Sequence, residues 1–490
     1  MVVNITISIN VDFGKEQIKD FKELEKKCYA TGLELARELL KKVLEETDLQ
    51  LLEERDKSRY RAKGKAETCI RTLMGNVVYK RRVYVDTENE SRHCVHLLDA
   101  ALKLKKVGLV SENVSTLIAS RVCESTYRAT AKSLDQMTGL SLSHQAVWTI
   151  AQRAGETVRS RLNRYSELAK IDAGAGEIKT ELLYLESDGI WLKLQGKSRQ
   201  EHGASKEMKV GIAYDGVNWN GKGKRVSRRT LDNKLALAGF MTAEQFRAIR
   251  EGLIANRFDV TGIKLRILNG DGASWIHRKN GDSVIDVLDE FHRNKKITEC
   301  VLNREFADTL MTLLREKRVD DLLESIAAQI NSIEDEVEIS KLQELQTYFT
   351  ENKGSLLSYY DRGIEIPPTR NPGEVHHARL GSMESNVYTL IGNRMKDGRA
   401  CWSIDGANNL SALLCAYHTA DFKYLFAELP GIPDPEPDWV DDGHAISASK
   451  MPTKEGKGYE YVGNISTTNF NPLLKGISNF SPLSNLSFSC

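Results

Sequence analysis

Two strand-like runs, each leading to an aspartate followed by glycine, constrain this chain more than any other feature. LLYLESDGIWLKL (Leu182 to Leu194) and IKLRIL (Ile263 to Leu268) are rich in apolar and β-branched residues, and the second leads into NGDGASW. KVGIAY (Lys209 to Tyr214) is also β-like, and a helical stretch from Thr242 to Ala255 precedes the Ile263 run. Strands, then a helix, then another strand describe an α/β core. Adjacent strand ends in such a core deliver ligands to one edge of the sheet. Asp188 is therefore expected to close its strand, with Gly189 turning the backbone to expose the carboxylate. Asp271, between Gly270 and Gly272, is expected to sit at a neighbouring strand end.

A third acidic setting lies downstream. Glu384, in GSMESN, opens a helix predicted over Ser382 to Met395, whose Val387, Leu390 and Ile391 can pack on the sheet and aim the glutamate at the strand ends. The spacings are 83 residues (271 minus 188) and 113 (384 minus 271), so any site is assembled by folding and not by a local loop. Hard oxygen ligands suit Mg²⁺ or Mn²⁺. Two such ions roughly 3.5 to 4 Å apart stabilise both the attacking and the leaving oxygen in phosphoryl transfer. The competing reading is that each aspartate caps a turn and Glu384 is a surface helix residue, and 68 acidic residues give it many chances to hold.

Upstream of the core the chain changes character twice. Gln17 to Glu54 reads as a long packing or dimerisation helix, with Ile18, Phe21, Leu24, Leu35, Leu39, Val43 and Leu44 at helical spacing. Cys69 to Val85 reads as a hairpin broken at Met74-Gly75-Asn76, its Lys80, Arg81 and Arg82 placed to lie along a phosphate backbone. Three helices follow: Glu112 to Val122, Tyr127 to Met137, and a third from Ser143, which is a good N-cap. The short turn Met137 to Ser141 between the last two gives a helix-turn-helix outline. In it His144, Gln145, Thr149, Gln152 and Arg153 lie off the Val147, Ile150, Ala151, Ala154 stripe and are candidates to reach bases or phosphates. An ordinary three-helix subdomain remains the alternative.

Composition sets the outer limits. With 490 residues, 41% hydrophobic and 28% charged, the chain has the length and make-up of a catalytic domain with smaller attached modules. Lys+Arg and Asp+Glu nearly cancel, 69 against 68, so a polyanion partner has to be argued from local basic runs such as RDKSRYRAKGK (Arg55 to Lys65) and KGKRVSRR (Lys222 to Arg229). No apolar run approaches a membrane span of roughly 18 residues, and the start lacks the pattern of an export signal, so the chain is expected to stay in the cytoplasm. Eight cysteines without CxxC spacing signal neither a disulfide framework nor a zinc ribbon.

These observations divide the chain into an N-terminal long-helix and β-hairpin region (1–110), a helix-turn-helix DNA-binding module (111–165), an α/β catalytic domain (180–429) with a helical insertion at about 293–366, and an acidic linker with a low-complexity tail (430–490).

LESDGIW around Asp188, LNGDGASWI around Asp271 and GSMESNVYTLIGNRMKDGRACWS around Glu384 resemble the three catalytic blocks of the ISLre-type insertion-sequence transposases. These belong to the DDE group and are distantly similar to Mutator-like transposases. The resemblance runs from about Lys15 to Tyr417 and includes the hairpin RTLMGNVVYKRRVY. It implies a ribonuclease H-like core in which Asp188, Asp271 and Glu384 hold two Mg²⁺ or Mn²⁺ ions. It also implies cleavage of DNA at terminal inverted repeats, attack of the freed 3′ hydroxyl on target DNA, a homo-oligomer assembled on DNA, and association with the nucleoid. Asp289 and His292, in DEFHRNKK, match the Asp-x-x-His signature of Mutator-like enzymes, which makes them further candidates for the catalytic set. The tail after Leu429 is not matched. A DNA-binding protein that does not cut, and a metal-dependent nuclease that makes no joints, are the two other readings of the same residues.

Overall fold

Helix propensity, capping and alternating burial account for most of the architecture of the computed structural model, which describes residues 8–9, 20–88, 94–104, 106–107, 110–168, 176–220, 228–276, 284–398, 400–424 and 488–489. The fold is mixed α/β in two compact units. Of the described residues, the first takes in those within 1–115, 131–143 and 488–489, and the second those within 116–130 and 144–424. The acidic linker expected from 430 onward lies outside the described residues, as does the tail apart from 488–489.

In the first unit helix α1 (Phe21–Glu54) begins at Asp20, whose side chain accepts from the Glu23 N–H. It packs along a hairpin of β1 (Tyr60–Thr72) and β2 (Gly75–Asp86), longer at both ends than the sequence pattern suggests. Leu44 of α1, Ile70 of β1, Val77 and Tyr79 of β2 and Leu98 form the buried centre. Three successive helices, α2 (Glu112–Glu124), α3 (Tyr127–Thr138) and α4 (His144–Leu168), follow close to the expected bounds; unit boundaries fall within α2, within α3 and immediately before α4.

The second unit is built on a five-stranded sheet of β3 (Leu182–Lys193), β4 (Ser205–Tyr214), β5 (Leu235–Gly239), β6 (Leu265–Gly270) and β7 (Val284–Leu288). Their order across the sheet is β5-β4-β3-β6-β7. β3, β4 and β5 form an antiparallel meander, while β6 runs parallel to β3 and β7 parallel to β6. Helix α5 (Ala243–Arg257), started by a capping box between Thr242 and Gln245, crosses from β5 to β6 and covers one face with Phe246, Leu253 and Ile254 against Leu183, Leu185, Leu237 and Leu268.

Four helices follow β7: α6 (Glu290–Cys300), α7 (Arg304–Arg315), α8 (Val319–Ser332) and α9 (Glu336–Glu351). They pack around Leu310, Leu322, Ile326, Leu342, Leu345 and Phe349, a core of their own that reaches the sheet at Leu288. The chain then returns through α10 (Met383–Val387), which leads directly into a π-helical stretch over Tyr388–Lys396, and α11 (Ile404–Tyr417). Gly155 of α4 lies so close to α11 that a Cβ there would overlap the Asn409 carbonyl, and Gly252 of α5 meets the α4 backbone at Ser166 in the same way. A side chain at either position would push two helices apart.

Candidate active site

The register between β3 and β6 pairs Leu185 with Leu268 and Glu186 with Asn269. Two residues further along stand Asp188, still on β3 and on the same face as Glu186 because side chains alternate, and Asp271, in the turn just past the end of β6. Neighbouring strands lie about 4.8 Å apart, so the two carboxylates come to the same end of the β3–β6 pair. The Asp271 Oδ1 accepts from the Ala273 N–H at 2.9 Å, and its carbonyl accepts from the Tyr348 hydroxyl at 2.7 Å. Gly272 has φ +87°, a left-handed value in a crowded spot beside Leu288 and Tyr348, so the turn after Asp271 requires glycine as expected.

At Asp188 the expectation is corrected. β3 does not close there; it runs on to Lys193, still paired with β4. Gly189 leaves room for the Glu207 carboxylate reaching over from β4, which a Cβ there would displace. Glu207 was not singled out from the sequence. Burial raises its pKa above the ordinary carboxylate range; Lys209 opposes that, and Asp271 and Asp188 add to it. The negative charge of the aspartate pair is thus felt on both faces of the sheet.

Helix α6 brings His292 to the same place. Asp289 caps the helix, its Oδ1 accepting from the Phe291 N–H (3.0 Å) and the His292 N–H (3.2 Å). That aims the imidazole at Asp188, with Nε2 3.6 Å from Oδ2. The His292 pKa is raised, first by its hydrogen bond to Asp188 and then by the charges of Asp188, Asp289 and Asp271, against an opposing effect of burial. Asp289 is a cap and a link: its Oδ2 accepts from the Asn269 side-chain amide at 2.9 Å.

The other partner of that amide is Glu186, a fully buried carboxylate absent from the sequence reading. Its Oε1 accepts from the Tyr214 hydroxyl (2.6 Å), and its Oε2 from Asn269 (3.0 Å), the Gly381 N–H (2.9 Å) and the Ser382 N–H (3.0 Å). Burial raises its pKa, opposed by Tyr214, Gly381 and Asn269.

Glu384 stands in the first turn of α10, exposed, on a helix that packs against β3 and β4 through the buried Met383. Leu390 and Ile391 are buried as expected, and Val387 is half-buried. Among the described residues no three His, Cys, Asp or Glu side chains form a group that could hold a metal ion as it stands. Asp188 and Asp271 offer the hard oxygens that Mg²⁺ or Mn²⁺ favours, so the donor chemistry fits a divalent cation at the pair while the three-carboxylate set is not closed.

The residues expected to meet DNA divide into two groups. Lys80, His144 and Gln145 are exposed, and the Thr149 hydroxyl donates to the Gln145 carbonyl at 3.0 Å. Gln152 is taken up inside the second unit: its Oε1 accepts from Asn409 at 3.0 Å and its amide donates to the Gly406 carbonyl at 3.4 Å. Arg153 is half-buried. Arg82 is spent on the buried Asp48, with Nη1 2.6 Å from Oδ2, and Arg81 pairs with Asp99. Ion pairing inside the first unit therefore withdraws Arg81 and Arg82 from the basic surface, and the hairpin cations left exposed with Lys80 are Arg61, Lys63 and Lys65.

The profile of the uncharacterised protein family UPF0236 matches residues 15–422. A curated relative, the UPF0236 protein in vanSb 3'region of Streptococcus gallolyticus, is 22% identical over 431 residues, covering 86% of this chain and 88% of the relative. Among solved structures, a chain of the Drosophila P element transposase strand transfer complex aligns over 64% of this chain and 80% of its own length, at 10% identity and a TM-score of 0.18. A likeness at that score carries no argument about fold or activity.

Proposed function

The chain belongs to the uncharacterised protein family UPF0236, and we propose that it is a DDE transposase of the ISLre type, cutting and joining DNA at the terminal repeats of an insertion sequence. The observation that carries this reading is the position of Asp188 on β3 and of Asp271 just past the end of the neighbouring parallel strand β6, with His292 3.6 Å from Asp188. The β5-β4-β3-β6-β7 order, an antiparallel meander extended by two parallel strands, is a mixed sheet compatible with the ribonuclease H-like core that the resemblance implies.

In this reading Asp188 and Asp271 hold the divalent cations, and Glu384 completes the set. Bound Mg²⁺ or Mn²⁺ supplies stabilisation of charge on the attacking and leaving oxygens of a phosphodiester. The protein's own contributions are positional. The Asx turn at Ala273 fixes Asp271, the paired strand fixes Asp188, and the Asp289 cap fixes the imidazole that neutralises part of the charge at Asp188. The exposed Arg61, Lys63, Lys65 and Lys80 are groups for phosphate contact. The exposure of Glu384 favours a second reading, a protein that holds repeats without cutting.

One experiment separates the two. Purified protein is incubated with Mn²⁺ and the DNA flanking its own gene, and nicks and joints are mapped beside an Asp188→Asn control. Cuts at the element ends that vanish in the control support the transposase. Binding without cuts in either protein sinks the enzymatic reading and leaves the DNA-holding one, whereas nicks that never yield joints point to a nuclease.

A further inference from the structure

Glu186 is buried two residues before Asp188 on the same face of β3, and the four donors around its carboxylate come from three other segments of the chain: Tyr214 from β4, Asn269 from β6, and the backbone of Gly381 and Ser382 from the turn into α10. A carboxylate out of water is costly unless hydrogen bonds replace the solvent, so its neighbours are held tightly in return. We propose that Glu186 is a positioning residue that hangs the Gly381–Ser382 turn on the strand of Asp188 and thereby sets where Glu384 stands against Asp188 and Asp271. This rests on the metal-dependent reading of the site given above.

The geometry gives the anchor short reach. Ser382 and Glu384 are two residues apart, so at most about 7 Å of chain separates their Cα atoms. Glu384 cannot leave the neighbourhood of β3 while the Ser382 N–H stays on Glu186. Gly381 has φ +92°, a conformation that favours glycine, and it lets two consecutive N–H groups address one oxygen. Asn269 carries the network further: its amide donates to Glu186 and also to Asp289, the cap of the helix bearing His292. One set of hydrogen bonds therefore ties together the four segments that bear Asp188, Asp271, His292 and Glu384. Sequence patterning cannot reveal such a residue, since Glu186 looks like one more acid beside Asp188.

The test uses the full chain and three variants, with two readouts. Hydrogen exchange of the 381–387 amides is followed in metal-free protein, and Mn²⁺ affinity is measured by titration calorimetry. Glu186→Gln keeps an oxygen for the N–H donors and an amide for the Tyr214 oxygen, so both readouts should stay within about threefold of the parent. Glu186→Ala removes the acceptor and Ser382→Pro removes one donor; each should speed exchange at 381–387 and weaken Mn²⁺ binding by about tenfold or more. Ser382→Pro leaves the buried carboxylate in place and covers the case in which Glu186→Ala does not fold. Unchanged exchange in the folded disrupting variants overturns the proposal. So does a Glu186→Gln protein that keeps its protection yet loses Mn²⁺ affinity as badly as Glu186→Ala, since the charge would then act on the metal directly. A parent that binds no Mn²⁺, with Glu186-dependent protection intact, overturns the metal reading of the site while supporting the anchor.

Discussion

His292 Nε2 lies 3.6 Å from Asp188 Oδ2, so an imidazole stands against a carboxylate at the place where cations are proposed to bind. Asp188 raises the His292 pKa above its ordinary value of 6.5, through the hydrogen bond first and charge second. A raised folded-state pKa means that the pair stabilises the fold fully below the unfolded value, and that this contribution is lost as pH rises through the folded one. In metal-free protein the His292 resonances should titrate above 6.5, and Asp188→Asn should move that titration down. A His292 titration unmoved by Asp188→Asn would mean that the pair does not form in solution.

The Arg82–Asp48 pair yields a stability prediction where the sequence had suggested a DNA contact. Both side chains are nearly inaccessible, at 11% and 1% exposure, and the Asp48 Oδ1 also accepts from the Arg82 N–H at 3.0 Å. Removing one partner strands a buried charge at a cost of about 3–5 kcal/mol. Arg82→Ala should therefore lower the denaturation midpoint of the protein sharply. Lys80→Ala, at an exposed position, should leave the midpoint in place and reduce the salt dependence of DNA binding instead. Equal midpoints for Arg82→Ala and the parent would return Arg82 to the list of phosphate contacts.

Gly155→Ala sets helix propensity against packing. Alanine in a helix interior gains about 1 kcal/mol over glycine. The added Cβ, however, would overlap the Asn409 backbone of α11, and overpacking costs typically about 1–3 kcal/mol, more where backbone must move. The packing effect should win, giving net destabilisation of about 1–2 kcal/mol, measurable by urea unfolding with little change in slope. A more stable variant would show that α4 and α11 do not approach this closely.

What the sequence made legible follows from burial. The Leu182 and Ile263 runs stood out because strands covered on both faces are continuously apolar, and Asp271 stood out because its turn needs Gly272 at positive φ. Leu235–Gly239 escaped notice because LALAG has neither β-branched residues nor alternation, yet it is fully buried at the edge of the meander. Ile404–Tyr417 escaped because a helix buried nearly all round shows no amphipathic stripe. Gly189 was misread as a turn because the reason for it, Glu207, sits on another strand. Glu186 was out of reach for the same reason, its partners lying 28, 83 and 195 or more residues away. Local chemistry writes itself into a sequence; a contact made by folding leaves only an unremarkable residue type.

Glu384→Gln decides the role of the third carboxylate. The substitution keeps size and hydrogen-bonding capacity at an exposed position in the first turn of α10, so stability should change by no more than about 0.5 kcal/mol. It removes a negative charge that, in the proposed site, joins Asp188 and Asp271 in holding divalent cations. Strand cleavage in Mg²⁺ or Mn²⁺ should fall by about 100-fold or more, the scale of losing one group that stabilises transition-state charge. Binding to terminal-repeat DNA should survive, because in the proposed function recognition would rest on exposed basic and polar groups such as Lys63, Lys65, Lys80 and Gln145. The two activities are measured on the same preparations, by gel shift with repeat DNA and by cleavage of end-labelled DNA. If the variant cuts as fast as the parent, Glu384 is a surface residue and the site consists of the two aspartates without it. If it loses repeat binding together with cleavage, the charge supports the α10 segment and not the metal, and the three-carboxylate assignment falls.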